Sequence, residues 1–185
     1  MSRKYKFYDD RFPHFVSFAT VRWVDLFTRR VYFEIITESL AYCIQQKGLI
    51  INAWCIMTNH VHLTIRSEDA SLSNIMRDMK KFTSKKLVST ISEHPQESRK
   101  KQMLNIFRRA GKTNSNNTYY QVWQQHNHPI ELSDREMVKQ RLNYLHMNPV
   151  KAGFVDRPQD WLHSSARNYA GMEGMLDLEK IGIKG

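Results

Sequence analysis

The sequence predicts an α+β domain built on an antiparallel sheet, and three observations predict it. Residues 14–23 (HFVSFATVRW) alternate with the period of a strand, and residues 29–47 and 71–91 repeat apolar side chains at near-helical spacing. Between those two helices, the runs 49–58 and 60–67 meet at Thr58-Asn59, a turn-forming pair that makes them a hairpin. The resulting order is strand, helix, hairpin, helix, with the helices packed on the sheet.

Taken in order, the first strand puts Phe15, Ser17, Ala19 and Val21 on one side and Val16, Phe18, Thr20 and Arg22 on the other. The first helix buries Val31, Ile35, Leu40 and Cys43 or Ile44, and Gly48 stops it. In the hairpin's second strand, His60, His62 and Thr64 share one face while Val61, Leu63 and Ile65 share the other. The second helix is capped by Ser71 or Ser73 and buries Ile75, Met79, Phe82 and Leu87 or Val88. Its outer face carries Arg77, Lys80, Lys81, Lys85 and Lys86.

Residues 93–118 turn polar and read as a variable, basic, partly helical excursion ending in a mobile loop, with an apolar patch at Met103, Leu104, Ile106 and Phe107. Val122, Trp123, Ile130 and Leu132 are the buried positions expected of a further strand or extended segment over 119–132. Ser133-Asp134 then caps a helix with Glu136 as capping-box partner, and Pro149 is expected to end it. Met137, Val138, Leu142 and Leu145 form its buried stripe, and Tyr144 and Asn148, four residues apart, stack on a different face. Beyond it Trp161 anchors an irregular remainder whose last dozen residues are expected to fray.

A chain of 185 residues with 41% hydrophobic content suits one domain spanning 1–185, with its core at about 12–170 and a tail at 171–185. The net charge of +10 points to an acidic polymer as partner, nucleic acid first and an anionic membrane surface second. No window approaches the ~18 apolar residues of a spanning helix, and the basic N-terminus lacks the apolar core of a signal peptide. The expectation is therefore a cytoplasmic protein with no membrane role, in which Cys43 and Cys55 are reduced, buried and structural.

The chemistry-bearing residues begin with His60 and His62. Two imidazoles on one face of a strand make half a metal coordination sphere, although such pairs also occur as hydrogen-bonded, half-exposed histidines. Asn148 offers a carboxamide oxygen as a third ligand, and a donor set without thiolate or carboxylate points to Mg²⁺ or Mn²⁺. A tyrosine hydroxyl is a poor nucleophile unless activated, and a divalent ion on a phosphodiester would stabilise the charge its attack creates. Spacing alone does not choose Tyr144 over Tyr119, Tyr120 or Tyr169. The basic stripe Arg77, Lys80, Lys81, Lys85 and Lys86, with Arg108, Arg109 and Lys112 of the excursion, reads either as phosphate contacts or as solvated surface. His126-Asn127-His128 matches the letters of the His-Asn-His nucleases by accident, because that motif is spread over a much longer unit.

His60-Val61-His62 within MTNHVHL resembles the HUH motif (His, bulky hydrophobic, His) of single-tyrosine HUH transposases. NYLHMNPVKAGFV at 143–155, followed by Trp161 and Ser164-Ser165, is similar to the C-terminal signature of the REP-associated tyrosine transposase branch. The resemblance runs from about residue 12 to residue 170. It implies a ferredoxin-like antiparallel sheet with helices on one face, Tyr144 as nucleophile, and Asn148 where insertion-sequence relatives carry a glutamine metal ligand. It further implies cleavage and rejoining of single-stranded DNA beside imperfect hairpins, through a 5′-phosphotyrosine, by a monomer or a homodimer. A catalytically lapsed protein that only binds such DNA is the alternative, and the presence of His60, His62, Tyr144 and Asn148 favours activity.

Overall fold

In a computed structural model that describes residues 6–113 and 119–181, β1 (His14–Ala19) and β3 (His60–Arg66) are the inner strands of a four-stranded antiparallel sheet. β2 (Ile50–Ile56) pairs with β3, and β4 (Ile130–Glu131) pairs with β1, giving the order β2-β3-β1-β4. With α1 (Arg30–Lys47) and α2 (Leu72–Glu93) between the strands, this is the ferredoxin-like order. Register fixes two faces. Val16 lies opposite Leu63, which lies opposite Trp54, while Ser17 lies opposite His62, which lies opposite Cys55.

The first of those faces meets α1 and α2. Val16, Phe18, Ile51, Trp54, Ile56, Val61, Leu63 and Ile65 join Tyr32, Ile36, Leu40, Met76 and Leu87 in one buried cluster. Each such side chain contributes about 1.5–3 kcal/mol on burial. α1 ends where Gly48 takes a left-handed φ of +68° and its N–H closes on Cys43 O. Ser71 caps α2, but Phe82, expected inside, is 59% exposed. The buried row advances in steps of four from Ile75 through Met79 to Thr83 and Leu87. Thr83 is acceptable inside because its hydroxyl donates to Met79 O at 2.8 Å and accepts from Trp123 Nε1 at 3.0 Å.

The basic excursion folds as α3 (Lys100–Lys112), which buries Met103 and Phe107 and packs on α2 and on the 3-10 turn Val21–Trp23. The expected mobile loop falls mostly on 114–118, outside the described residues. Residues 121–131 then run beside β1, with Trp123 bridged to Thr20, but only Ile130 and Glu131 join the ladder, since Pro129 has no N–H to offer.

α4 (Arg135–Lys151) crosses the other face of the sheet, where Val138, Leu142 and Leu145 pack on Phe15, Ala53, Cys55 and Met57. Helices on one face thus describes α1 and α2, and α4 is added opposite them. Asp134 caps α4 by accepting from Met137 N at 2.9 Å. Pro149, expected to end the helix, lies inside its last turn, and the chain runs on until Ala152 N closes on Asn148 O.

The C-terminal segment seals the outer edge of β2. Trp161 Nε1 donates to Ile56 O, Ile56 N to His163 O, and Ser165 N to Trp54 O. The tail expected to fray instead buries Leu176 and pairs Glu179 N with Ile51 O, while 182–185 lie outside the described residues. Cys43 and Cys55 are free and buried. Among the described residues no helix is long and apolar enough to cross a membrane.

Candidate active site

The face under α4 holds the two histidines because β3 alternates, and it has room for a helix because its neighbours are small. His60 lies opposite Ala19, and His62 between Ser17 and Cys55. α4 then sets Arg141, Tyr144 and Asn148 along one side of itself, at spacings of three and four residues.

These residues meet. The His60 and His62 ring centres are 4.7 Å apart at 76°, and the Tyr144 ring lies 5.3 Å from His62, edge to face. Phe15 stacks on His62 at 5.4 Å and meets Tyr144 edge-on at 6.0 Å. Asn148 Nδ2 donates to His62 Nε2 at 3.2 Å, and the same carboxamide lies close enough to His60 to influence its titration. One chain therefore brings together all four residues. Tyr144 is 40% exposed, so its ring is held on one side and open on the other.

Burial keeps both imidazoles neutral. The His62 pKa is pushed down to about 3, first by desolvation and then by the charges of His60 and Arg141. Desolvation lowers His60 too, partly offset by the neighbouring Asn148 carboxamide. His60 is oriented from behind: its Nδ1 lies 2.7 Å from Asn59 Oδ1. Asn59 Nδ2 donates to Asp25 Oδ1 at 3.0 Å, and Thr58 Oγ1 donates to the same oxygen at 2.6 Å. With its amide N–H committed to Asp25, Asn59 presents its oxygen to the ring, so His60 carries its proton on Nδ1 and turns a lone pair on Nε2 the other way.

Two neutral imidazoles and a carboxamide in mutual contact suit a divalent ion of intermediate hardness. Among the described residues no group of three or more His, Cys, Asp or Glu gathers, so a third side-chain donor at this place is the Asn148 amide.

The basic residues do not join the site. Arg77, Lys81, Lys85 and Lys86 are exposed on α2, across the sheet from the histidines, and Arg108, Arg109 and Lys112 are exposed on α3. Arg77 is engaged with Asp78 and Asn74, and Arg108 lies over the Tyr120 ring. Lys80 differs from its neighbours: its ammonium donates to Gln124 O and Asn127 Oδ1, both at 2.8 Å, and clips the 121–131 segment to α2. Burial lowers its pKa to about 8.

Sequence reasoning passed over four residues at this site. Arg141, whose guanidinium lies 5.2 Å from the Phe15 ring centre, could have been found from its helical spacing to Tyr144 and Asn148. Asn59 was legible only as a turn former. Asp25 and Trp23, the latter 5.7 Å from His60, had no signal at all, because only the folded chain brings residues 20–25 to the hairpin turn.

Comparison with known proteins gives two matches. Residues 12–110, just over half the chain, match the family model described as IS200-like transposase. That span includes the histidines and stops before α4. A solved structure of a REP-associated tyrosine transposase bound to a REP hairpin superposes with a TM-score of 0.65 at 16% identity, covering 98% of this chain and 94% of that one. The superposition shows a shared fold that continues through α4. A search of curated proteins finds no match.

Proposed function

The chain belongs to the family of IS200-like transposases, and from that premise we propose that it cleaves and rejoins single-stranded DNA beside imperfect hairpins, with Tyr144 as nucleophile. The observation that carries the proposal is the meeting of Tyr144 and Asn148 with the His60–His62 pair inside one chain. A monomer then holds every group the chemistry uses.

Tyr144 Oη forms a bond to the scissile phosphorus while the P–O3′ bond breaks. The phenolic proton passes to solvent, and the departing 3′-oxygen leaves as a hydroxyl. The product is a 5′-phosphotyrosine, which conserves the energy of the phosphodiester, so attack by another 3′-hydroxyl rejoins the strand without an external energy source. Phe15 and His62 fix the Tyr144 ring, and the Arg141 guanidinium on the same helix side neutralises phosphate charge. His60, His62 and Asn148 would hold Mg²⁺ or Mn²⁺, which when bound supplies Lewis-acid stabilisation of the charge developing on the phosphate. The exposed cations of α2 and α3 suit a duplex stem, which they would grip by its backbone without reading sequence.

The test is incubation with stem-loop single strands taken from palindromic repeats beside the gene, in Mg²⁺ or Mn²⁺, followed by a denaturing gel. A covalent protein–DNA adduct is expected for the wild type and none for Tyr144→Phe. An adduct that persists in that variant overturns the assignment, and tight binding without any adduct leaves a hairpin-binding protein instead.

A further inference from the structure

Trp23 is the exposed member of the four tryptophans: it is 57% exposed, whereas Trp54 and Trp123 are buried and Trp161 is half-buried. Its ring stands 5.7 Å from His60, edge to face, so the rings run Trp23, His60, His62, Tyr144 across the site. Apolar surface of this size is ordinarily turned inward, and here the backbone works to turn it out. Arg22 and Trp23 take φ of 56° and 54°, a left-handed conformation that residues with a Cβ rarely adopt, still less in succession.

That turn is held from several sides. Val21 N donates to Val122 O, Trp23 N to Thr20 O, and Thr20 Oγ1 to Val24 O. Asn59, which orients His60, also reaches Trp23 O at 3.4 Å. The conformation is therefore built in, and the hydrogen bonds that impose it connect directly to the histidine pair.

We propose that Trp23 is a stacking platform for one unpaired base of the DNA, that of the nucleotide whose 3′-oxygen leaves when the strand is cut. This rests on the reading of Tyr144 as nucleophile. In-line displacement puts the attacking and leaving oxygens on opposite sides of the phosphorus. Tyr144 stands on the His62 side of the site and Trp23 on the His60 side, so a strand whose scissile phosphate lies over the histidines presents its leaving nucleotide to Trp23. An indole face accepts any base, so the contact positions the strand without choosing its sequence.

The test uses the Tyr144→Phe background, so that binding is read without cleavage. Fluorescence anisotropy compares a labelled oligothymidylate with a strand of equal length made of abasic residues. Trp23→Ala is expected to weaken oligothymidylate about tenfold and to leave the abasic strand unchanged, with Trp23→Phe recovering most of the loss. Equal affinity in both proteins, or an equal loss on both strands, overturns the platform, the latter because it reports a damaged turn. On a stem-loop strand that the wild type cuts, a single abasic residue 5′ to the cut should cancel the Trp23→Ala effect; cancellation only from the 3′ side overturns the assignment of the base. Absence of any wild-type adduct would instead sink the nuclease reading, and the oligothymidylate comparison would still decide whether Trp23 binds bases.

Discussion

On the face of the sheet covered by α1 and α2, the inward positions of β1 and β3 are Val16, Phe18, Val61, Leu63 and Ile65. On the face crossed by α4, the same two strands present Phe15, Ser17, His60, His62 and Thr64. Neither face is wet: His62 is 3% exposed and Thr64 is fully buried. The difference lies in which side chains are buried: under α4 they are polar, and among the described residues His62 Nδ1 and Thr64 Oγ1 have no hydrogen-bond partner, a condition that Trp54 Nε1 shares on the otherwise apolar opposite face. A buried polar atom in that condition costs about 1–3 kcal/mol. One face is filled almost wholly by apolar side chains. The other holds a buried His62 and a half-buried His60 beside a tyrosine that is open on one side.

Adjacent residues on β3 give the sharpest way to break this contrast. Leu63→Ala should destabilise the protein by about 2–5 kcal/mol, read from urea unfolding, because it opens a cavity among large neighbours. Whatever remains folded should still form the covalent adduct with DNA. His62→Leu should do the opposite, abolishing the adduct while raising stability by about 1 kcal/mol, because it replaces a buried ring nitrogen lacking a partner with an apolar side chain. If His62→Leu unfolds as readily as Leu63→Ala, the histidine face is structural after all.

The same contrast explains what could be read before folding. The α1–α2 face was legible because apolar side chains repeat with the period of their element, which places Val61, Leu63 and Ile65 on one side from the letters alone. Phe82 was misread for the same reason, since an apolar letter at a plausible spacing competed with Thr83, whose interior place depends on the distant Trp123 indole. His60 and His62 were legible as a pair, but their neutrality arises from desolvation by a helix some eighty residues later. Arg141, Asn59 and Asp25 matter through distances between separate elements, and spacing along a chain carries no such distances. Pro149 signalled a stop that the last turn of α4 absorbs, so the boundary was wrong by two residues while the Tyr144–Asn148 face was right.

Asn59 tests whether the polar face is organised from behind. Asn59→Ala removes the acceptor at His60 Nδ1 and leaves Asp25 with Thr58. The His60 ring is then free to turn, and Mn²⁺ affinity measured by calorimetry should fall about 10- to 100-fold, the usual effect of removing an outer-shell partner. Asp25→Asn should fall less, since an amide in place of the carboxylate can still receive the Asn59 N–H. An unchanged affinity in Asn59→Ala would mean that β3 alone fixes His60.

The smallest effect expected is the response of metal affinity to pH. Protons compete with a divalent ion for an imidazole only near or below its folded pKa. Ordinary histidines, with pKa about 6.5, would lose about tenfold in affinity as a pair between about pH 8 and pH 6. His62 is held at about 3 and contributes nothing to that loss, and His60 is lowered, so Mn²⁺ affinity should fall by less than an ordinary pair would show over that interval. The same burial has the opposite consequence for folding. An unfolded imidazole takes up its proton near pH 6.5 and folded His62 does not until about 3, so stability is full above the first value and falls as pH drops toward the second. His146 and His163, both lowered to about 4 by desolvation, add to that acid loss. Denaturant midpoints followed through this interval should therefore fall less steeply in His62→Leu than in the wild type, and an equal slope would place the acid sensitivity in groups other than His62.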